Sequence, residues 1–245
     1  MKSVAILVTV LALTSFASPS GAQEVPAPYK EVLTFLGKQG DFKDNVLKVN
    51  IPRNDVSVSV ASVPTPTPFG FGGWIALTKG NGMDVMMGDL VLLQDEVNPV
   101  MSALLDNGLE VTALHNHSFW DEPRMFYMHV HGHGSPMDLA RKVKPVLDLI
   151  ARQAKPTSAS ASAAPNSAAP LDTAKLAKIA GHTGEQNGAV YKITVGRDDL
   201  KMTEMGASIN ARMGLNTWAA FVGTDAKAAI AGRRRDVANR GDARS

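Results

Sequence analysis

The chain repeats itself. Advancing by 144 residues carries Gly37 onto Gly181, Gly40 onto Gly184, Val46 onto Val190, Lys48 onto Lys192 and Arg53 onto Arg197. Without a gap the same step carries Asp55 onto Asp199, Gly70 onto Gly214, Trp74 onto Trp218, Ala76 onto Ala220 and Gly88 onto Gly232. Agreement of this kind is roughly three times what average composition yields, and Gly, Trp and Arg are costly residues to match. An internal duplication follows, and it restricts the chain to two versions of one supersecondary plan. Between the copies, residues 154–170 read Ala-Lys-Pro-Thr-Ser-Ala-Ser-Ala-Ser-Ala-Ala-Pro-Asn-Ser-Ala-Ala-Pro. Nothing in that stretch is able to build a core, so it reads as a linker.

Hydrophobic periodicity outlines the first copy, residues 23–153. A short helix is expected from Pro28 to Gly37, ended by glycine. Alternating β-rich runs predict strands at 46–51, 56–63, 74–78, 84–93, 109–117 and 124–132. Helical spacing predicts helices over 95–107 and 136–152. The expected fold class is α+β, with a mostly antiparallel sheet carrying packed helices, duplicated, the second copy incomplete. That copy spans residues 171–232. Beyond Gly232 the apolar pattern ends in the basic run Arg233-Arg234-Arg235, and residues 233–245 read as a disordered tail. A truncated or frame-shifted longer duplication and a genuine basic tail are the two readings of that end.

The N-terminal 22 residues have the form of a secretory signal: Lys2, an apolar run from Val4 to Leu13, and the small residues Ser20-Gly21-Ala22. Cleavage is expected after Ala22, delivering the protein to the periplasm or the medium. The apolar run is too short for a permanent span, so no stable membrane anchor is expected after cleavage. The chain has no cysteine, which excludes disulfides and a lipid-modified Cys. A net charge of +2 gives no reason to expect nucleic acid as a partner.

Chemistry concentrates in His115-Asn-His117-Ser-Phe-Trp-Asp-Glu122-Pro-Arg124-Met-Phe-Tyr-Met-His129-Val-His131-Gly-His133. Alternate residues of a strand share a face, so His115 pairs with His117, and His129 with His131 and His133. A hairpin joining the two strands would set imidazoles side by side. Neutral imidazole is a ligand for zinc, copper, nickel and iron, and three nitrogens leave a fourth position open for water. The candidate ligands are His115, His117, His129 and His131, with zinc the first choice of metal. Glu122 is the candidate proton carrier or fourth ligand, and Arg124 its neighbour in the site. Two other readings stand beside the metal site: a histidine cluster that binds substrate without metal, and a solvated edge-strand face without a role. Bland roles are expected elsewhere: Trp74, Trp218 and the methionines in the core, and Asp95 and Glu96 at a helix start.

The run from Gly88 to Val100, then Asn107-Gly-Leu-Glu-Val-Thr-Ala-Leu-His115-Asn-His117, Pro123-Arg124 and Phe126-Tyr-Met-His129 resembles the LppY/LpqO family of secreted bacterial proteins. The resemblance implies export and a tandem duplication, but no established reaction. His115, His117, Glu122, Pro123, Arg124 and His129 fall on its pattern, while His131 and His133 are less typical of it. The chain departs from the family in having no lipobox Cys and no complete second copy. His-x-His with a glutamate five residues on also resembles the first cupin motif. The functional expectation is an exported metal-binding domain, a metal-dependent hydrolase if it is an enzyme. A non-catalytic module for a small molecule or an envelope component is the alternative, and a cupin-like metal-dependent oxidoreductase a further one.

Overall fold

Valines, isoleucines and leucines at every second position give the first copy its strands, because one sheet face must be apolar while the other is free to carry polar groups. A computed structural model describes residues 23–150 and 170–233. The proposed signal segment, nearly all of the linker and all but the first residue of the tail lie outside the described residues. Helix α1 (Ala27–Leu36) leads into β1 (Gly40–Lys43) and β2 (Val46–Pro52). Next come the short strands β3 (Val58–Val60) and β4 (Val63–Thr65), then β5 (Gly72–Lys79) and β6 (Asp84–Leu93). Helix α2 (Gln94–Asp106), β7 (Glu110–His115), β8 (Asp121–Glu122), β9 (Met125–Gly134) and α3 (Pro136–Leu147) complete the copy.

The main sheet has the order β1-β2-β5-β6-β9-β7, and every pairing in it is antiparallel. Its inner face, with Leu47, Val49, Ile75, Leu77, Met86, Leu90, Leu92 and Met128, packs against Val32, Val100, Leu104, Leu139 and Val143 of the three helices. The α+β expectation holds. One expected strand does not: in place of a single run over 56–63, residues 58–65 form a hairpin. Ala61 and Ser62 take φ of 48° and 62°, reversing the chain between β3 and β4 in the left-handed turn geometry suited to two-residue hairpins. The last helix ends at Leu147 rather than continuing to 152.

The second copy repeats the plan at the same offset. Helix α4 (Thr173–Ala180) is followed by β10 (Glu185–Asn187), β11 (Val190–Gly196), β12 (Met202–Glu204), β13 (Ala207–Ile209), β14 (Asn216–Thr224) and β15 (Lys227–Arg233). Strands β11, β12 and β13 begin and end 144 residues after β2, β3 and β4, and the turn at Met205-Gly206 matches that at Ala61-Ser62. Four strands form its sheet in the order β10-β11-β14-β15, the counterpart of β1-β2-β5-β6.

The two copies meet reciprocally. Phe69 and Phe71 of the first pack with Val190 and Ala220 of the second. Their offset counterparts, Met213 and Leu215, pack with Val46 and Ala76 of the first. This is the self-complementary geometry of an isologous dimer, here within one chain. It places the second copy over the face of the main sheet that the helices leave open, which is the histidine face.

Candidate metal centre

The open face is set by strand parity. In β9 it carries Tyr127, His129 and His131, with His133 next in the same alternation. In β6 it carries Met87 and Asp89, which stand opposite His131 and His129. In β7, Glu110 stands opposite His131 and His115 opposite Tyr127. Glu110 and His115 are an odd number of residues apart and would point to opposite faces of a regular strand. A bulge between Val111 and Ala113 absorbs one residue and returns both to the same face.

His117 lies just beyond β7. The neighbouring Asn116 anchors the chain there, its Nδ2 donating to the Met125 carbonyl at 2.6 Å. The His117 ring stacks on Tyr127 with centroids 3.5 Å apart and planes at 15°. Its Nε2 is 3.1 Å from Nε2 of His115. The His115 and His129 rings meet edge to face at 4.9 Å. Asp89 stands behind them, its Oδ2 3.6 Å from His129 Nε2. Burial, with the nearby Asp89 and Asp121 carboxylates, pushes the Tyr127 phenol far above its ordinary value, so it stays protonated.

A second grouping lies further along the same strands. Glu110, His131 and His133 each offer one ligand atom, all within 4.8 Å of one another. Buried His131 lies between two acids, with Nδ1 3.3 Å from Glu110 Oε2 and Nε2 2.8 Å from Glu204 Oε1. Glu204 belongs to the second copy, so the repeats meet chemically here as well as by packing.

The structure thus gathers His115, His117, His129 and His131 on one face. It does not bring Glu122 and Arg124 with them. Glu122 is exposed, pairs through β8 with Ser59 in a separate three-stranded sheet, and lines neither cavity at the histidine face. Arg124 is exposed, donating to the Phe119 carbonyl at 3.3 Å and standing 3.8 Å from Asp121. Asp89, Tyr127, Glu110 and Glu204 join the region without having been singled out from the sequence, and His133, expected on this face but ranked below the other histidines, joins them. Asp89 had a visible mark: it is a lone acid in the middle of the apolar run Leu90-Val91-Leu92-Leu93 and the residues before it. Glu204 had none, because its approach to His131 depends on how the copies dock.

A cavity of ≈ 610 Å³ opens between the copies, lined by His117, Tyr127, Asp89 and Trp74 of the first and Lys192 and Trp218 of the second, among others. A smaller one of ≈ 290 Å³ adjoins it at Asp89, His129, His131, Glu110 and Glu204. Trp74 and Trp218, expected in the core, are only half buried and line the larger cavity. Glu96 does cap its helix, accepting from the Leu93 amide at 2.8 Å, and also binds the buried Arg53 at 2.6 Å.

Residues 30–149 and 174–235 match the family described as Domain of Unknown Function (DUF1259). The chain belongs to that family. The two matched segments of this DUF1259 protein fall on either side of the linker, one in each copy. No curated protein and no solved structure matches the chain. Among the described residues, no helix is long and apolar enough to cross a membrane.

Proposed function

We propose that this is an exported metal-binding protein, in which His115, His117 and His129 hold a divalent transition ion, zinc in the first place, beside the cavity between the repeats. The observation that carries this reading is the convergence of the His115 and His117 Nε2 atoms to 3.1 Å, with the His129 ring against His115. Two nitrogens bound at 2.0–2.1 Å to one tetrahedral ion lie roughly 3.3 Å apart. Three imidazoles around such an ion would leave one position for water, whose proton the ion would make easier to lose, and metal-assisted hydrolysis is the reaction this arrangement would serve best. Asp89 takes the proton-carrying role in this proposal, since it lines both cavities and stands beside His129, while Glu122 lines neither. The LppY/LpqO resemblance and the N-terminal sequence support export.

Protein purified without a His-tag should carry or take up a stoichiometric ion at neutral pH, measured by metal analysis and calorimetry. His117→Ala and His129→Ala should each abolish it, and His133→Ala should not. A panel of ester, amide and phosphoester substrates then tests turnover. Asp89→Asn should retain the ion and lose roughly a hundredfold or more in rate, the usual contribution of a positioned base. The compact Glu110–His131–His133 group favours a second reading, in which the ion sits there. Loss of metal in His133→Ala, with retention in His117→Ala, would establish that reading instead.

A further inference from the structure

A cavity of ≈ 610 Å³ lies where the two copies face each other, and its chemistry is doubled by the duplication. Lys48 and Lys192 are repeat equivalents, as are Trp74 and Trp218, and all four line it. Each ammonium stands over the indole of its own copy, Lys48 at 4.6 Å from the Trp74 ring and Lys192 at 4.3 Å from that of Trp218. Such contacts hold a cation in place at low solvent cost. Burial, then the cations of Arg212 and Lys192, pushes the Lys48 ammonium down to about 8, despite Asp41 and Asp89. Two ammonium groups, Lys48 and Lys192, facing one cavity gain from an anion placed between them.

The rest of the lining is largely neutral and polar apart from His117 and two carboxylates, Asp89 and Glu185, so the two ammonium groups mark where an anion would sit. Asn50, Asn187 and Asn216 offer amides that donate and accept, and Thr67, Thr183 and Thr194 offer hydroxyls. This lining suits a ligand rich in hydroxyl groups rather than a hydrocarbon. The indole edges offer apolar surface to the C–H faces of such a ligand. A volume of ≈ 610 Å³ falls among ordinary small-molecule sites, roughly 300–1,000 Å³.

We infer that the cavity between the repeats binds an anionic saccharide, its carboxylate or phosphate held by Lys48 and Lys192 and its hydroxyls by the surrounding amides and threonines. Such a ligand would lie beside His117 and Asp89, so this inference also names a substrate class for the metal centre. It does not require the ion, and chelator-treated protein is used first so that the two proposals fail separately.

Calorimetric titrations of the full chain should compare glucuronate, glucose 6-phosphate, glucose and inorganic phosphate. One or both sugar anions should bind at least tenfold more tightly than glucose and than inorganic phosphate, and the stronger of the two identifies the anion carried. Lys48→Met and Lys192→Met should each weaken that binding roughly tenfold or more, as expected for loss of one charged hydrogen bond. Lys48→Arg should retain most of it. Should Lys48→Met not fold, Lys192→Met and Lys48→Arg still decide the matter. Glucose or phosphate alone binding as tightly as the sugar anions, no binding of either sugar anion at roughly 10 mM, or full binding by folded methionine variants would overturn the inference.

Discussion

Replacing Glu96 by alanine should destabilise the protein by about 4 kcal/mol, and the structure shows where that loss arises. Glu96 and Arg53 are each only 1% exposed. The Glu96 carboxylate accepts from Arg53 at 2.6 Å and 3.2 Å and from the Leu93 amide at 2.8 Å. Removing one member of a buried pair costs roughly 3–5 kcal/mol, because the other charge is left in a low-dielectric interior. Asp55 still reaches Arg53 at 2.9 Å, which places this cost near the lower end. Losing the helix cap adds about 1 kcal/mol. Asp55→Ala should cost less than Glu96→Ala, because Asp55 is partly exposed and its loss leaves the buried Glu96 pairing intact. In the second copy, Arg197 pairs with Asp199 at 2.7 Å near solvent, and Asp199→Ala should cost the least of the three. Urea unfolding of the three variants at neutral pH measures all of these. A loss below about 1.5 kcal/mol for Glu96→Ala, or one no larger than for Asp55→Ala, would refute the reading that the buried pair ties Arg53, just after β2, to α2.

Asp84 accepts from the Tyr29 hydroxyl at 2.6 Å, yet burial raises its carboxyl above the ordinary value. A raised acid contributes stability below its unfolded value and loses it as pH rises through the folded one. Asp84→Asn should therefore be more stable than the parent at neutral pH, with the difference vanishing below about pH 3.9, the reference aspartate value; urea titrations across pH read this directly, and an unchanged gap at low pH would sink it. Secreted material should begin at Gln23, by intact mass, and a retained Met1 after export would contradict the reading of the leader. Limited proteolysis should cut first within residues 154–170, because Ala/Ser/Pro sequence has no core to protect it. The nicked halves should remain together on a sizing column, held by the reciprocal Phe69/Phe71 and Met213/Leu215 contacts; separation on cutting would show those contacts to be weak. Metal binding should weaken below about pH 6, as protons compete for imidazole nitrogens of ordinary pKa roughly 6.5, and pH-independent binding in calorimetry would exclude a histidine site.

Much of this molecule is local and could be read along the chain. The β6 run Asp84–Leu93 falls where its apolar pattern predicts, and α1 and α2 begin and end within a residue of expectation. The doubling of residues 37–88 in 181–232 reappears in β11, β12 and β13, which have the lengths of β2, β3 and β4, and in turns of the same handedness. Side-chain alternation alone put His129 and His131 on one face, because a strand's period of two is a property of its backbone. The hairpin at Ala61-Ser62 escaped because valines alternate at 56, 58 and 60 right up to the reversal and Val63 follows it directly, so the apolar run looks unbroken. Whether Glu110 shares a face with His115 depends on a bulge in β7, and strand pairing decides that. Placing Asp89 beside His129 needed the register between β6 and β9. Bringing Glu204 to His131, and Lys192 and Trp218 into one cavity with His117, needed the docking of two sheets whose contacting residues lie far apart in the chain. The chain's pattern determines which side chains point out of a sheet; only tertiary packing decides what they meet there, because that depends on distant surfaces burying each other's apolar groups.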